Sequence, residues 1–167
     1  MHRNETAVGI IFDKKREQVL LVKRRDVPVW VLPGGGIEPN EIPEDGAIRE
    51  VLEETGFEVI IRRKIAEYLP VNRLTRLTHV FECTVVGGEA KTGSESQEVR
   101  FFSVSSLPTY LPPPYPGWIQ EALPLEQPLI RKKIEGVTYL VLLKFLFRYP
   151  RLVFLYLLTK IGIHFNR

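Results

Sequence analysis

Hydrophobic and polar positions along the chain follow two different periods. Short apolar runs rich in β-branched residues, bounded by charged or glycine-containing segments, predict strands. These runs lie at residues 7–12, 19–22, 30–32, 58–61, 78–86 and 99–104. Only the charged segment 13–17 separates the first two runs, so we expect them to form a hairpin.

One segment changes to the period of a helix. Between residues 43 and 55, apolar side chains recur every three or four positions and would form a single stripe. Pro43 suits the first turn of a helix, and Gly56 suits the position just after its last turn. The pattern therefore predicts a helix over residues 43–55 and a second, short helix at 117–123. The polar segment 87–97 is predicted to be a mobile loop.

Composition narrows the class of protein. Of the 167 residues, 44% are hydrophobic and 26% are charged, values typical of a globular chain and not of a disordered one. The single cysteine, Cys83, excludes an intrachain disulfide and a cysteine-based zinc site within one chain. Residues 1–6 are polar and show no secretory signal, so we expect a cytoplasmic protein.

Charge is distributed unevenly along the chain. Residues 1–130 carry 15 Lys and Arg against 19 Asp and Glu, whereas residues 131–167 carry 8 against one. The net charges of the two parts are therefore −4 and +7. An acidic body with a basic C-terminal segment is a poor match for a general nucleic-acid-binding protein, so no nucleic-acid partner is expected.

Three glutamates lie on the side of the predicted helix opposite its apolar stripe: Glu50, Glu53 and Glu54. Their like charges repel one another, and the C-terminal half of a helix disfavours anions. A solvated acidic helix face is the simplest interpretation of these residues taken alone. Carboxylate oxygens are also suitable ligands for Mg²⁺ or Mn²⁺, and the glycines at 34–36 would let the backbone approach a bound ligand closely.

The spacing around this helix resembles the Nudix box. The pattern is Gly35, five residues, Glu41, seven residues, Arg49-Glu50-Val51, one residue, Glu53-Glu54, one residue and Gly56-Phe57. The flanking segments 33–38 and 98–102 also resemble the Nudix hydrolase family, and the resemblance covers residues 5–123. Asn40 stands where many members have glycine, at a position that the box does not specify.

The resemblance implies both a fold and an activity. The implied fold is an α/β/α sandwich with a mixed sheet, followed here by a C-terminal helical extension. The implied activity is hydrolysis of a diphosphate that links a nucleoside to another group. Mg²⁺ or Mn²⁺ would neutralise the pyrophosphate while a carboxylate activates water. The alternative is a non-hydrolytic module that binds a nucleotide, but such a module would not need the complete glutamate set.

The resemblance also implies roles for individual residues. Glu50 and Glu54 are the firmest metal-site residues, and Glu53 is a further ligand or the general base. Arg49 would orient these carboxylates through ion pairs and so contribute to catalysis. The carbonyl group of Gly35 is a further candidate metal ligand. Which glutamate acts as the general base stays open.

Members of this family often supply another carboxylate from a loop outside the box. Glu98 and Glu95 are the candidates, and Glu98 is favoured as a metal ligand because it immediately precedes the strand predicted from residue 99. Glu41 is expected to have a structural role.

The sequence does not identify the substrate beyond a nucleoside diphosphate derivative. The Leu-Leu-Thr signature that marks coenzyme A pyrophosphatases is absent upstream of the box. Trp30, Tyr68 and Phe81 could stack on a base, but each is more readily explained as a core residue. The basic run at 23–25 could contact phosphates or form a solvated strand end.

We divide the chain into a Nudix domain at residues 1–125 and a basic, apolar helical tail at 126–167. Within the tail, 19 of the 27 residues from 137 to 163 are apolar. The basic residues Lys133, Lys144, Arg148 and Arg151 would fall on one narrow stripe of a helix.

Two interpretations of the tail remain open. Three basic residues and Pro150 near its middle argue against a membrane-spanning helix. Residues 131–167 therefore either pack on the body or on a second copy in a homodimer, or lie at an anionic membrane surface with the basic stripe at the headgroups. The second alternative would make the protein peripheral at a membrane.

Overall fold

The computed structural model describes residues 5–148 and residue 150. The strands are β1 (Glu5–Ile11), β2 (Gln18–Arg24), β3 (Trp30–Val31), β4 (Gly34–Gly36), β5 (Phe57–Leu69), β6 (Leu77–Gly88), β7 (Ser96–Ser103) and β8 (Ile130–Lys133). The helices are α1 (Pro43–Thr55), α2 (Tyr115–Ala122) and α3 (Tyr139–Arg148). No helix in this part of the chain is long and apolar enough to cross a membrane.

The strands form two sheets. The five-stranded sheet has the order β4-β1-β6-β5-β8, in which β1 is parallel to β6 and β5 is parallel to β8, while the other pairs are antiparallel. The three-stranded sheet has the order β3-β2-β7 and is antiparallel. The larger sheet is therefore mixed, as the family resemblance implied.

Helices α1 and α2 cover opposite faces of the larger sheet. Alternate residues of β1 separate the two layers, because Val8 and Ile10 pack with α2 whereas Ala7 and Ile11 pack with α1. The arrangement of a mixed sheet between helices is that of Nudix hydrolase structures, and it confirms the predicted fold class. Trp30, Tyr68 and Phe81 are buried core residues.

The predicted hairpin of the first two strands is wrong. β1 and β2 belong to different sheets and are joined only by a bridge between Phe12 and Val19. Each strand has both faces buried over most of its length, so each finds its main partner elsewhere: β1 pairs with β6, and β2 pairs with β7. The charged turn at 13–17 thus passes the chain from one sheet to the other.

The first part of the segment predicted as a helical tail is a strand in the structure. β8 pairs with the outer side of β5, and the buried Ile134 follows it, donating its backbone N–H to the carbonyl oxygen of Leu69 at 2.9 Å. The packed body therefore continues to residue 134, beyond the boundary predicted at 125. Helical structure begins with α3, and the rest of the predicted tail, residues 149 and 151–167, lies outside the described residues.

Candidate active site

Helix α1 fixes the orientation of the glutamates. Pro43 starts the helix, and Gly56 ends it with a φ of 75°, donating its N–H to the carbonyl oxygen of Leu52 at 2.9 Å. The apolar side of the helix packs on β1, where a Cβ on Gly9 would lie 2.5 Å from Val51 Cγ2. This close approach leaves the acidic side of α1 facing β4.

The backbone of β4 lies directly against the acidic side of the helix. A Cβ on Gly35 would lie 2.5 Å from an oxygen of the Glu50 carboxylate, whereas a Cβ on Gly36 would meet nothing within 4 Å. Any other residue at position 35 would therefore force the Glu50 carboxylate to move away from this strand. The structure thus brings together Gly35 and Glu50, two residues that the box resemblance assigned to the metal site.

Glu54 is a partly buried acid at the centre of this cluster. Its Oε2 accepts the backbone N–H of Gly34 at 3.0 Å. The pKa of Glu54 is raised to about 7: burial is the main cause, the negative charge of Glu50 adds to it, and the hydrogen bond from Gly34 acts in the opposite direction. Nearby positive charge therefore compensates this carboxyl group only in part.

The environment of Glu50 has the same character. Burial raises the pKa of Glu50, and the charges of Glu53 and Glu95 act in the same direction. The guanidinium of Arg49 opposes them through a hydrogen bond of 2.8 Å from Nη1 to Glu50 Oε1. Two further carboxylates, Glu53 and Glu95, therefore add negative charge around Glu50 and Glu54, and the arginine neutralises it only in part.

Arg49 lies between three carboxylates, those of Glu41, Glu50 and Glu53. Its Nε donates to Glu41 Oε1 at 2.9 Å, Nη2 donates to the carbonyl oxygen of Gly36 at 2.9 Å, and Nη1 lies 3.5 Å from Glu53 Oε2. The hydrogen bond to Glu41 is the main cause that raises the pKa of Arg49. Glu41 also accepts the N–H of Glu38 at 2.8 Å, so it holds the arginine and the preceding loop in place.

The two loop carboxylates occupy different environments. Glu98 lies inside β7 opposite Lys23, and its Oε1 is 3.5 Å from Arg100 Nε. Glu95 is the residue immediately before β7, and its charge raises the pKa values of both Glu50 and Glu54. The predicted strand started too late, because β7 begins at Ser96 and not at residue 99. That difference is why the sequence ranked Glu98 above Glu95.

The loop that carries Glu95 is fastened to the end of α1. The N–H of Lys91 donates to the carbonyl oxygen of Thr55 at 2.8 Å, and Ser96 Oγ donates to the carbonyl oxygen of Glu54 at 2.9 Å. These bonds satisfy backbone acceptors that the last turn of a helix leaves without partners. The segment predicted to be a mobile loop is therefore tied to the helix that bears the glutamates.

Arg24 and Tyr115 complete the surroundings of Glu54. The charge of Arg24 lowers the pKa of Glu54, and the guanidinium is held by Asp26 through bonds of 2.8 and 2.6 Å. Burial raises the pKa of Tyr115, with the charges of Arg24 and Glu54 acting on it in opposite directions. The sequence included Arg24 among candidate phosphate contacts, but Tyr115 lies in a proline-rich segment without a functional pattern and was missed.

The donor set is chemically suited to a hard divalent cation. Two partly buried carboxyl groups with raised pKa values lie next to the backbone of Gly34 and Gly35, and oxygen is the ligand atom that Mg²⁺ and Mn²⁺ prefer. In residues 5–148 and 150, no three acidic, histidine or cysteine side chains converge on a single point. Arg49 holds Glu50 and Glu53, so these two side chains would have to turn toward a cation.

Comparison with known proteins gives consistent results. A family model described as NUDIX domain matches residues 2–124. A Bacillus subtilis (strain 168) protein, provisionally named an 8-oxo-dGTP diphosphatase, is 38% identical over 105 residues, covering 62% of this chain and 70% of that protein. An ADP-ribose pyrophosphatase from Methanocaldococcus jannaschii is 34% identical over 114 residues, covering 65% of this chain and 66% of that protein.

Solved structures show the same similarity. An ADP-ribose pyrophosphatase from Streptococcus suis 89-1591 matches with a TM-score of 0.66 at 26% identity, covering 77% of this chain and 98% of that chain. A NUDIX hydrolase from Nitrosomonas europaea matches with a TM-score of 0.65 at 26% identity, covering 80% of this chain and 81% of that chain.

Proposed function

The chain belongs to the Nudix hydrolase family, whose members here are named as diphosphatases and pyrophosphatases, and from this premise we propose its metal, its substrate class and the roles of its residues. It hydrolyses a nucleoside diphosphate that is linked to another group, with Mg²⁺ or Mn²⁺ as cofactor. The observation that carries this proposal is the pair of partly buried carboxyl groups of Glu50 and Glu54, both with raised pKa values, against the backbone of Gly34 and Gly35.

The proposed ligands are Glu50, Glu54 and the carbonyl oxygen of Gly35, with Glu53 as a further ligand or as the base. A bound divalent cation supplies charge neutralisation for the diphosphate. From the loop outside the box, electrostatics favours Glu95 over Glu98, because the charge of Glu95 raises the pKa values of both Glu50 and Glu54.

In the proposed reaction, water attacks one phosphorus atom of the diphosphate and the phosphoanhydride bond breaks. The attacking water gives its proton to a carboxylate, for which Glu53 is suited because 59% of its side chain is exposed and able to meet solvent. The products are a nucleoside monophosphate and the phosphorylated form of the other group, which is a sugar phosphate for ADP-ribose and pyrophosphate for 8-oxo-dGTP. Arg49 keeps the glutamates in position through its bonds to Glu41 and Glu50.

Arg24 is the proposed contact for a substrate phosphate. Its guanidinium lies near the glutamate cluster, where its charge already acts on Glu54. Its fork now faces Asp26, and a diphosphate oxygen would accept the same paired hydrogen bonds. The names of the relatives supply the first substrates to try, which are 8-oxo-dGTP and ADP-ribose.

The place of action is a separate part of the proposal. We propose a cytoplasmic enzyme without a nucleic-acid partner, in which residues 131–167 contact either an anionic membrane surface or a second copy of the chain. The high apolar content of this segment supports both alternatives, and its net charge of +7 favours the anionic surface.

The test is a hydrolysis assay of the full chain on 8-oxo-dGTP, ADP-ribose and nucleoside diphosphate sugars. Activity should vanish with EDTA, return with Mg²⁺ or Mn²⁺ and be poorly supported by Ca²⁺, whose looser coordination suits in-line transfer less well. Glu53→Gln and Glu54→Gln should each reduce turnover at least about a hundredfold, or ~2.7 kcal/mol of transition-state stabilisation.

Two controls make the test specific. Glu44→Gln removes a carboxylate from the other end of α1 and should leave turnover unchanged. Glu95→Gln should reduce turnover more than Glu98→Gln does; the reverse order would restore Glu98 as the loop ligand. Full activity after exhaustive chelation would overturn the metal mechanism, and nucleotide binding without turnover would favour the binding module.

A further inference from the structure

Helix α3 exposes large apolar side chains beside a basic one. Leu140 is 63% exposed and Phe147 is 78% exposed, and Lys144 between them is also exposed. At spacings of four and three residues, these three side chains share one face of the helix. Among the described strands and helices, none packs extensively against α3. This face therefore leaves apolar area in contact with water.

The segment just before α3, residues 134–137, is fixed to the body. Ile134 is buried, and Asn72 Nδ2 donates to the carbonyl oxygen of Val137 at 2.8 Å. Gly136 between them turns the chain with a φ of 77°. The helix thus starts from a defined point next to β5 and β8, and it is placed to present its face to a surface outside the molecule.

Charge identifies what that surface is. Residues 136–167 contain five Lys and Arg and no Asp or Glu, so their net charge is +5. A second copy would bring two such segments together and add their repulsion, whereas an anionic lipid surface would attract each of them. The apolar side chains would enter the acyl boundary while the long side chain of Lys144 reaches the headgroups.

We propose that the exposed face of α3 binds an anionic lipid surface and holds the body at a membrane. The inference rests on exposure and charge, and it does not depend on the proposed hydrolytic activity. It assigns the exposed face of Leu140, Lys144 and Phe147 to lipid contact.

Co-sedimentation of the full chain with vesicles tests the proposal. Recovery in the pellet should be high with mixed phosphatidylglycerol and phosphatidylcholine, low with phosphatidylcholine alone, and reduced by salt. A parallel run without vesicles corrects for self-association. The triple charge reversal Lys144→Glu, Arg148→Glu and Arg151→Glu should weaken vesicle binding by at least about a hundredfold, because each basic residue contributes about fivefold.

A matched variant keeps the same net charge. This control is a triple charge reversal of three exposed basic residues of the body, Lys14→Glu, Lys15→Glu and Arg73→Glu. It should retain vesicle binding. In the variant Phe147→Trp, the fluorescence emission of the new tryptophan should shift to shorter wavelength when anionic vesicles are added. The native Trp30 and Trp118 are already buried and should not contribute to this shift. Thermal unfolding of each variant confirms that the body is folded.

Three outcomes would overturn the proposal. Equal recovery with neutral and anionic vesicles would remove the role of charge. Equal loss of binding in the tail and body variants would show an effect of net charge alone. A full-length dimer that Phe147→Ser converts to a monomer, without any vesicle binding, would assign the face to a second copy.

Discussion

At the scale of single residues, the site depends on how closely the backbone of β4 approaches the carboxylates of α1. Gly35 lies against Glu50, and Glu54 takes a hydrogen bond from Gly34. The sequence indicated these partners, because the helical period put the glutamates on one side of α1 and the glycine run preceded it. It named Arg24 and Glu95 as candidates without placing them beside Glu54, and it missed Tyr115, because all three reach Glu54 only through the packing of distant segments.

Gly35→Ala should reduce activity without unfolding the protein. The added Cβ would lie 2.5 Å from the Glu50 carboxylate and would force that side chain to move away from its position beside Arg49. We expect turnover to fall at least about tenfold, ~1.4 kcal/mol, with a much smaller change in the free energy of unfolding. Gly36→Ala is the matched control, since its Cβ meets nothing within 4 Å. Equal turnover in the two variants would contradict this role for Gly35.

Glu54 should make the metal-free protein less stable at high pH. Its folded pKa of about 7 exceeds the usual value of 4.5, so the penalty is absent below pH 4.5 and grows as pH rises through 7. Without divalent cations, Glu54→Gln should therefore stabilise the fold by about 1–2 kcal/mol at pH 8 and have little effect at pH 4.5. Urea unfolding at both pH values measures this. The variant Glu53→Gln serves as control, because this side chain is exposed. An equal increase in the free energy of unfolding in both variants would argue against burial as the cause.

At the scale of elements, a cluster of charges attaches α2 to the larger sheet. The buried carboxylate of Glu82 on β6 accepts hydrogen bonds from Arg16 and from Arg63, the latter at 2.8 Å. Both arginines also donate to the carbonyl oxygen of Ala122, at 2.7 and 2.8 Å. The C-terminal end of the helix is thereby satisfied by cations, as the helix dipole favours.

Glu82→Gln should be strongly destabilising. The variant leaves the guanidinium groups of Arg16 and Arg63 without their buried counter-charge, which costs about 3 kcal/mol. Burial alone would raise the pKa of Glu82, but the hydrogen bonds from Arg16 and Arg63 bring it below the usual value. Its stabilising contribution is therefore present above pH 4.5 and is lost as pH falls further. Chemical denaturation should show this loss, with the exposed Glu89→Gln unaffected.

Helices and strands whose own residues mark their ends could be predicted from the sequence. Strands that form only because they pair with a neighbouring strand could not. The bounds of α1 agree with the prediction because Pro43 and Gly56 mark its ends in the sequence itself. β4 consists of three glycines and exists because it pairs with β1. β8 is four residues long and largely basic, and its strand conformation comes from the edge of β5. Neither strand has a pattern of its own.

At the scale of the whole molecule, the body needs β8 and Ile134. Arg131 and Lys132 of this strand form ion pairs with Glu67 and Glu121, at 2.6 and 2.7 Å. A chain ending at Gln127 would expose the edge of β5 and remove a buried isoleucine from the core.

Truncation after Thr138 should give a stable body, whereas truncation after Gln127 should not. The shorter chain should lose at least about 2 kcal/mol of stability from Ile134 alone and should aggregate through the exposed strand edge. Thermal unfolding, light scattering and hydrolysis can be measured on both. Equal stability of the two chains would show that β8 contributes little to the body.

The parallel pairing of β1 with β6 has a consequence for synthesis on the ribosome. β1 is made early, but the strand that places Ala7 beside His79 follows about seventy residues later. Until β6 emerges, the apolar residues on both faces of β1 lack their permanent neighbours, and the loop that must close between the strands is long. The nascent chain is therefore most exposed to aggregation and to chaperone binding during the interval between these two strands.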